Sequence, residues 1–299
     1  VIPFDQRLIP TYLLTCEINN KYVFLIQSWR TDLSNQSASA LLNVKDITVR
    51  FGGIVALDSV SFDVPRNKVC GLIGPNGAGK TTLFNCLSRL YQYQAGDLLF
   101  DGQSITQTPV HAMSKIGIGR TFQNLAMFRT MTVRQNVMVG AHVRSKGGFI
   151  GTMLKTPAVR AEEKQLVEDA DALLSYLKLA EFADRTVGDL SFGTQKRVEF
   201  ARALASKPKM LLLDEPAAGL NHTELGDLAD FIRTVRDDMG ITVLLVEHHM
   251  SLVMEVSDWI VVLNFGKKIA EGTPAEIRNN PKVIEAYIGV PDEKEKVLA

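Results

Sequence analysis

The chain has 299 residues, enough for one large domain or two modest ones with an ample core. Its 33 lysines and arginines equal its 33 aspartates and glutamates, a balance that argues against a nucleic-acid partner, which would favour a basic surface. The three cysteines are scattered and odd in number, which argues against a disulfide framework, and no apolar run approaches the ~20 residues that span a bilayer. Any membrane role is therefore expected to act through partner proteins.

The beginning and the end of the chain differ from the rest. Residues 1–40 lack clear periodicity and finish in a polar stretch of small residues, which is typical of a linker. We assign this extension no role and expect it to be poorly ordered. The sequence predicts one domain over residues 41–290, followed by a polar tail at 291–299.

Strand and helix patterns alternate along the domain. Residues 42–49 and 59–64 alternate apolar and polar side chains, and later strands are continuous apolar runs. The predicted strands are 42–49, 59–64, 69–73, 97–100, 210–213, 242–246 and 259–263. The first predicted helix begins at Thr82, and the later ones are 161–177, 194–205, 225–237 and 250–256. Apolar strands that alternate with helices indicate an α/β fold with a mostly parallel, covered sheet. Cys70 and Cys86 fall in apolar patterns and are expected to be inert core residues.

The most informative motif begins at Gly74, after an apolar strand and before a helix. It fits the phosphate-binding pattern G-x-x-x-x-G-K-[ST] at every fixed position. Backbone N–H groups of such a loop cradle phosphate oxygens, Lys80 adds a positive charge, and Thr81 offers a hydroxyl to Mg²⁺. The predicted nucleotide-binding residues are Gly74, Pro75, Asn76, Gly77, Ala78, Gly79, Lys80, Thr81 and Thr82.

Two adjacent carboxylates end the apolar strand at residues 210–213. Asp214 at a strand end can hold Mg²⁺ through its water shell, and Glu215 can polarise a water in line with the γ-phosphate. Alone, the pair fits an ordinary capping turn equally well. The phosphate loop upstream favours the catalytic interpretation.

A third motif, Leu-Ser-x-Gly at residues 190–193, precedes a basic helix and then the Asp214 strand. In this order and spacing it resembles the signature of ATP-binding cassette (ABC) ATPases. The resemblance covers residues 41–290 and implies a P-loop NTPase ABC cassette, with a mostly parallel central sheet, an antiparallel β subdomain, and a helical subdomain inserted at about 125–190. The signature residues, expected to act on ATP bound by a partner, are Ser191, Phe192, Gly193 and Thr194.

The same resemblance assigns further roles. Gln123 matches the Q-loop glutamine, His248 the switch histidine, and Ala218–Asn221 the D-loop. Phe51 stands where the family places an aromatic that stacks on adenine, although an isolated phenylalanine fits a core position as well. The implied cofactors are ATP and Mg²⁺. The implied catalytic residues are Lys80, Gln123, Glu215 and His248, and the implied Mg²⁺ ligands are Thr81, Gln123 and Asp214.

Within the family, the sequence most resembles the ATPase subunits of high-affinity branched-chain amino-acid importers. Supporting features are Gly-Leu-Asn at 219–221 with Glu224, the Glu247–His248 pair, Arg120 before the Q-loop, the long helical insert, and Ala-Tyr-Ile-Gly at 286–289. Phe192 and Asn221 depart from the common ABC pattern but fit this branch, whereas Thr194 and His249 are individual departures.

That branch implies a particular assembly. A second ATPase subunit, identical or related, would pack head to tail, and two membrane permease subunits and, indirectly, a solute-binding protein would complete the system. The chain would lie at the cytoplasmic face of the inner membrane as a peripheral subunit. The apolar residues Leu125–Phe128 are a candidate docking surface for the permease, with simple core packing as an equal alternative.

Other functions are less consistent with the sequence. A soluble ABC-type ATPase acting on ribosomes or DNA would carry two cassettes or a long coiled coil, and residues 80–214 show no sustained heptads. A small-molecule P-loop kinase leaves the signature and His248 unexplained. His248 and His249 are strand neighbours that point to opposite faces, which disfavours a metal site. The solute stays open among amino acids, amides and urea.

Overall fold

The computed structural model describes residues 40–121, 125–145 and 156–288. The strands are β1 (Ala40–Phe51), β2 (Ile54–Pro65), β3 (Val69–Ile73), β4 (Ala95–Phe100), β5 (Gln103–Ser104), β6 (Ile118–Arg120), β7 (Met210–Asp214), β8 (Thr242–Val246), β9 (Trp259–Asn264) and β10 (Lys267–Gly272). The helices are α1 (Lys80–Leu87), α2 (Val133–Ala141), α3 (Pro157–Tyr176), α4 (Phe192–Leu204), α5 (His222–Asp237), α6 (Met250–Val256), α7 (Pro274–Arg278) and α8 (Pro281–Ile288). Short 3-10 turns connect some of them. Residues 1–39 of the proposed extension and the whole proposed tail at 291–299 lie outside the described residues.

The larger sheet has six strands in the order β10-β9-β3-β8-β7-β6. All its neighbours are parallel except β9 and β10, which form an antiparallel hairpin. Every residue of β3, β7 and β8 is buried, because a parallel sheet is covered on both faces. The expected mostly parallel central sheet is confirmed.

A second sheet of four strands is antiparallel throughout, in the order β2-β1-β4-β5. Its long hairpin pairs Ala40 with Pro65 at one end and Phe51 with Ile54 at the other. Strand β2 of this hairpin lies beside the phosphate loop: the Asp58 N–H donates to the Gly266 carbonyl, and the Gly266 N–H donates to the Ala78 carbonyl of the loop. The sheet is the antiparallel β subdomain that the sequence predicted.

Between β6 and β7 the described chain is mainly helical. Helix α2 packs against both α3 and α4. Local sequence sets the helix starts: Thr132 and Gln135 form a capping box on α2, and Thr156 caps α3 just before Pro157. This region matches the inserted helical subdomain expected from the sequence.

Two hydrophobic cores lie on opposite faces of the large sheet. Strand β3 shows the division, because Val69 and Ile73 belong to one core and Cys70 and Leu72 to the other, as strand alternation requires. The first core is covered by helices α2 to α8, and the second by α1 and the antiparallel sheet. Cys70 and Cys86 are buried as expected. No helix among the described residues is long and apolar enough to cross a bilayer.

Candidate nucleotide site

The phosphate loop joins β3 to α1 at the carboxyl end of the large sheet. Close backbone approach explains two of its glycines. A Cβ on Gly74 would lie 2.1 Å from the Leu263 carbonyl oxygen, and a Cβ on Gly79 would lie 2.7 Å from the Ala56 carbonyl oxygen. Gly79 also has φ 99° and forms the N-cap of α1, a conformation that favours glycine. The loop therefore turns tightly and directs the positive end of α1 into the site.

Lys80 lies inside this loop. Its side chain is 6% exposed, and Nζ donates to the carbonyl oxygens of Gly74 at 2.7 Å and Pro75 at 2.9 Å. Burial lowers the pKa of Lys80 below the ordinary lysine value, and the nearby Glu215 opposes this shift. The ammonium group is thus held over the concave face of the loop, where a phosphate would meet it.

Asp214 ends β7 and forms a buried ion pair with Arg120, the last residue of β6. Arg120 Nη2 lies 2.9 Å from Asp214 Oδ2, and both side chains are about nine-tenths buried. Arg120 also donates to Asn85 Oδ1 of α1 at 3.0 Å and to Oγ of Ser88, the residue that follows α1, at 2.7 Å. Burial raises the pKa of Asp214, and Arg120 opposes that rise. One guanidinium therefore ties β6, β7 and the phosphate-loop helix together.

Glu215 directly follows β7 and has a positive φ of 48°, a strained backbone conformation for a residue other than glycine. Its backbone N–H donates to the Val246 carbonyl of β8 at 2.9 Å, which fixes the turn. The Glu215 carboxylate Oε1 lies 2.7 Å from Nε2 of His248. Carboxyl ends of parallel strands meet at one sheet edge, so two residues distant in sequence form a carboxylate–imidazole pair beside the phosphate loop.

Glu247 supports this pair from beneath. Its side chain is 1% exposed, and Oε1 accepts a hydrogen bond from the Ala217 N–H at 2.6 Å. Oε2 accepts from the N–H groups of His248 at 2.9 Å and His249 at 3.2 Å. One buried carboxylate thus fixes both the segment that carries His248 and the segment that follows Glu215.

The predicted signature forms the first turn of α4. Ser191 is the N-cap, and its Oγ accepts a hydrogen bond from the Thr194 N–H at 3.3 Å. Oγ also lies 2.9 Å from Thr194 Oγ1. A Cβ on Gly193 would lie 2.1 Å from Glu224 Oε1, so a larger residue here would displace the Glu224 carboxylate. The arrangement presents a serine hydroxyl and a helix N-terminus, which are suited to an anion.

The comparisons with known proteins agree with this geometry. A family model described as ABC transporter matches residues 57–218, and a second, described as Branched-chain amino acid ATP-binding cassette transporter, matches residues 267–293. The high-affinity branched-chain amino acid transport ATP-binding protein BraF of Pseudomonas aeruginosa is 46% identical over 249 residues, which are 83% of this chain and 98% of BraF. The chain belongs to the ABC transporter family.

Two further relatives support the assignment. LivG of Escherichia coli K12, also a high-affinity branched-chain amino acid transport ATP-binding protein, is 43% identical over 83% of this chain and 98% of its own length. The crystal structure of the ADP conformation of MJ1267, an ATP-binding cassette of an ABC transporter, has a TM-score of 0.73 and 34% identity, and covers 84% of this chain and all of that one. The ABC cassette fold and nucleotide binding predicted from the sequence are confirmed.

In this ABC cassette, the aromatic residue proposed to face adenine lies at the surface. Phe51 ends β1, is 48% exposed, and meets Tyr91 edge-on with ring centroids 5.4 Å apart. Its exposure removes the core-packing alternative, while its contact with a base stays a prediction.

The proposed docking segment, Leu125–Phe128, has one residue that fits core packing and one that fits an exposed docking surface. Met127 packs against the hydrophobic core, whereas Phe128 is 47% exposed. Asn136, fully buried, holds the Phe128 backbone by hydrogen bonds to its N–H and its carbonyl, each 3.0 Å long. The segment therefore contributes to the core and also presents an aromatic ring to solvent.

The described part of the site brings together Lys80, Asp214, Glu215 and His248, while Ser191 lies on a separate helix start. Gln123 falls outside the described residues, so its role stays a prediction. No cluster of three or more His, Cys, Asp or Glu side chains in the described ranges could hold a metal. A hydroxyl at Thr81 and a carboxylate at Asp214 are nevertheless oxygen donors of the kind that Mg²⁺ binds together with water.

The sequence did not identify three residues that support the site. The sequence places Arg120 and Glu247 among the features of the branch but gives neither a role, because their partners are 94 and 30 residues distant. Tyr287 of α8 was noted in the same way, yet its hydroxyl hydrogen-bonds the backbone of Gly74, and burial raises its pKa. An acidic residue directly after an apolar strand and before the switch histidine was the one sequence signal that could have indicated the supporting role of Glu247.

Proposed function

We propose that this chain is the ATP-hydrolysing subunit of an ABC importer that takes up branched-chain amino acids or a related small polar solute. The observation that carries the proposal is the pairing of Glu215 with His248 at 2.7 Å beside the phosphate loop. The proposal for the solute rests on the names of BraF and LivG and on the branched-chain family model over residues 267–293. The chain would be peripheral, at the cytoplasmic face of the membrane.

The phosphate loop binds the triphosphate of ATP. Backbone N–H groups of residues 74–82 and the N-terminus of α1 donate to phosphate oxygens. Lys80 exchanges its present carbonyl partners, Gly74 and Pro75, for oxygens of the β- and γ-phosphates. Little is lost in this exchange, because the ammonium is already desolvated and aimed into the loop. Phe51 packs against adenine from the exposed end of β1.

Glu215 orients and partly deprotonates the attacking water. The 2.7 Å bond to His248 and the strained backbone at φ 48° fix the direction of its carboxylate. His248 contacts the γ-phosphate and reports whether it is present. Phosphoryl transfer relies mainly on positioning and charge stabilisation, and this rigid pair supplies the positioning.

Thr81 and Asp214 are the described residues that would hold Mg²⁺, with Gln123 as a third. When bound, the ion neutralises charge on the phosphate oxygens. The Asp214 carboxylate is buried and its Oδ2 pairs with the Arg120 guanidinium, so Oδ1 is the atom that would meet the water shell of the ion. Arg120 therefore fixes the orientation of the carboxylate at the end of β7.

Two copies, or this chain and a related subunit, form the complete sites. Ser191 and the Gly193 N–H of one subunit meet the γ-phosphate on the phosphate loop of the other. A single chain has little use for two anion-binding helix ends, whereas two subunits clamp one ATP between them. ATP thus joins the subunits, and hydrolysis lets them separate.

Coupling to the membrane passes through the helical subdomain. Gln123 senses the nucleotide, and the exposed Phe128 close behind it contacts a permease subunit. Two permease subunits carry the solute, and a solute-binding protein delivers it.

Co-purification tests this assembly. A tagged chain, extracted from membranes with mild detergent, is expected to bring two hydrophobic membrane subunits in equal amounts. The Phe128→Ala variant should recover less of them, with unchanged ATPase activity of the isolated chain. Recovery of ribosomes or of no membrane protein would exclude the transporter assembly.

A further inference from the structure

The signature turn (residues 191–194) touches the D-loop (Ala218–Asn221) of the same chain through an aromatic ring. Phe192 is the first residue of α4, and its ring lies over Gly219. A Cβ on Gly219 would lie 3.0 Å from the ring atom Cε1 and 3.4 Å from Cζ. Gly219 has φ 80°, so both its conformation and this contact favour a glycine.

Glu224 makes a second link between the same two turns. Its Oε1 lies against Gly193, where a Cβ would stand only 2.1 Å away. Its Oε2 accepts a hydrogen bond from the Asn221 N–H at 2.9 Å, within the capping box of α5. A single carboxylate is therefore inserted between the signature turn and the D-loop.

The D-loop is in turn fixed to the catalytic residues of its own chain. The Ala218 N–H donates to the Glu215 carbonyl at 3.1 Å, and the Ala217 N–H donates to Glu247 at 2.6 Å. Contacts thus run without a break from the signature turn to Glu215 and to the segment that carries His248.

We infer that Phe192 and Glu224 are positioning residues that hold the signature turn at one place on the D-loop, so that Ser191 keeps a fixed position relative to Glu215. The inference rests on the proposed function. In the dimer, Ser191 serves the partner's ATP while Glu215 serves the chain's own, so the two contacts set the spacing between the two sites. A misplacement of 1 Å in such a site can cost about a hundredfold in rate.

Ordinary packing is the competing explanation for these contacts. Phe192 is 47% exposed, which is a large fraction for an aromatic ring that contributes only to stability. A purely structural role would change thermal stability and would leave ATP-driven association of folded subunits unchanged. The two roles are therefore separable by experiment.

The test uses the full chain with Glu215→Gln, in which ATP is expected to trap the dimer. Phe192→Ala and Glu224→Ala should each raise the ATP concentration for half-maximal dimerisation by about tenfold, measured by light scattering. Phe192→Tyr keeps the ring, and Glu224→Gln keeps an acceptor for the Asn221 N–H. Both conservative variants should stay within about twofold of the parent.

Two controls separate the possible causes. Affinity of the monomer for ADP should be unchanged in every variant, since the phosphate loop is untouched. Val110→Ala changes an exposed apolar residue that is distant in sequence from the signature turn and the D-loop, and it should behave like the parent. Unchanged dimerisation in both alanine variants, or an equal loss of ADP affinity, would overturn the inference alone. A parent that fails to dimerise with ATP would instead overturn the proposed function, and the inference with it.

Discussion

His248 Nε2 lies 2.7 Å from Glu215 Oε1, and the two residues follow the neighbouring parallel strands β8 and β7. Glu247 fixes this pair from below by accepting N–H bonds from Ala217 and His248. A carboxylate held by an imidazole on one side and by a strained backbone on the other has little freedom to rotate. Such restraint is what an in-line attack by water on a phosphoryl group requires.

Replacing Glu215 with Gln should separate binding from turnover. The amide keeps the shape and can still hydrogen-bond His248, but it cannot accept a proton from water. We expect ATP affinity within about threefold of wild type and a turnover number lower by roughly 10²–10⁴. Steady-state phosphate release and equilibrium ATP binding measure the two quantities. Turnover like that of the wild type would remove Glu215 from the catalytic role.

Lys80→Ala should remove most of the nucleotide affinity. Charge-assisted hydrogen bonds are worth about 1.5–3 kcal/mol each, so we expect ATP to bind at least about tenfold more weakly. Lys115→Ala, at an exposed lysine, is the matched control and should bind normally. Unchanged ATP binding in the Lys80 variant would contradict the assignment of the phosphate loop.

Stability should depend on a buried ion pair in the signature helix. Lys196 and Glu199 are 3.1 Å apart with side chains 2% and 1% exposed. Glu199→Leu leaves the ammonium in the core, and we expect the free energy of unfolding to fall by about 3–5 kcal/mol in urea denaturation. The double variant Lys196→Met/Glu199→Leu should lose clearly less.

A second pair with the same sequence separation provides the control for that experiment. Lys268 and Glu271 lie 2.9 Å apart on the surface, with side chains 28% and 37% exposed. Glu271→Ala should cost less than about 1 kcal/mol, because water screens an exposed pair. Equal losses for Glu199→Leu and Glu271→Ala would show that burial of the first pair is unimportant.

The two described cysteines should resist alkylation in the native protein. Burial raises the pKa of Cys70 to about 12 and that of Cys86 to about 11, from an ordinary 9.0. With Cys16→Ser, we expect iodoacetamide to label the native chain at least about a hundredfold more slowly than the urea-unfolded chain, since only the thiolate reacts. Mass spectrometry follows the labelling, and rapid native modification would contradict the packing of both residues.

Much of the parallel core could be predicted from the sequence because most of its strands are nearly continuous apolar runs. The prediction of 242–246 matches β8 in full, and that of 250–256 matches α6 in full. Less obvious strands were missed. β10 reads Lys-Lys-Ile-Ala-Glu-Gly, a polar edge strand without alternation, and β6 has only three residues.

Within the site, local motifs were predictable and their supports were not. Lys80, Asp214 and Glu215 carry spacing that the phosphate-binding and carboxylate motifs define by themselves. Arg120 and Glu247 act through partners distant in sequence, and only the sheet order brings them together. The contact of Phe192 with Gly219 likewise depends on how α4 packs beside the D-loop.

Uptake of radiolabelled leucine in a strain that lacks this gene tests the central claim most directly. Wild-type chain supplied on a plasmid should restore uptake, and Glu215→Gln, expressed at the same level, should leave it at the deletion background. Leucine uptake that is unchanged by the deletion, or fully restored by the Glu215→Gln variant, would contradict ATP-driven import of branched-chain amino acids by this subunit.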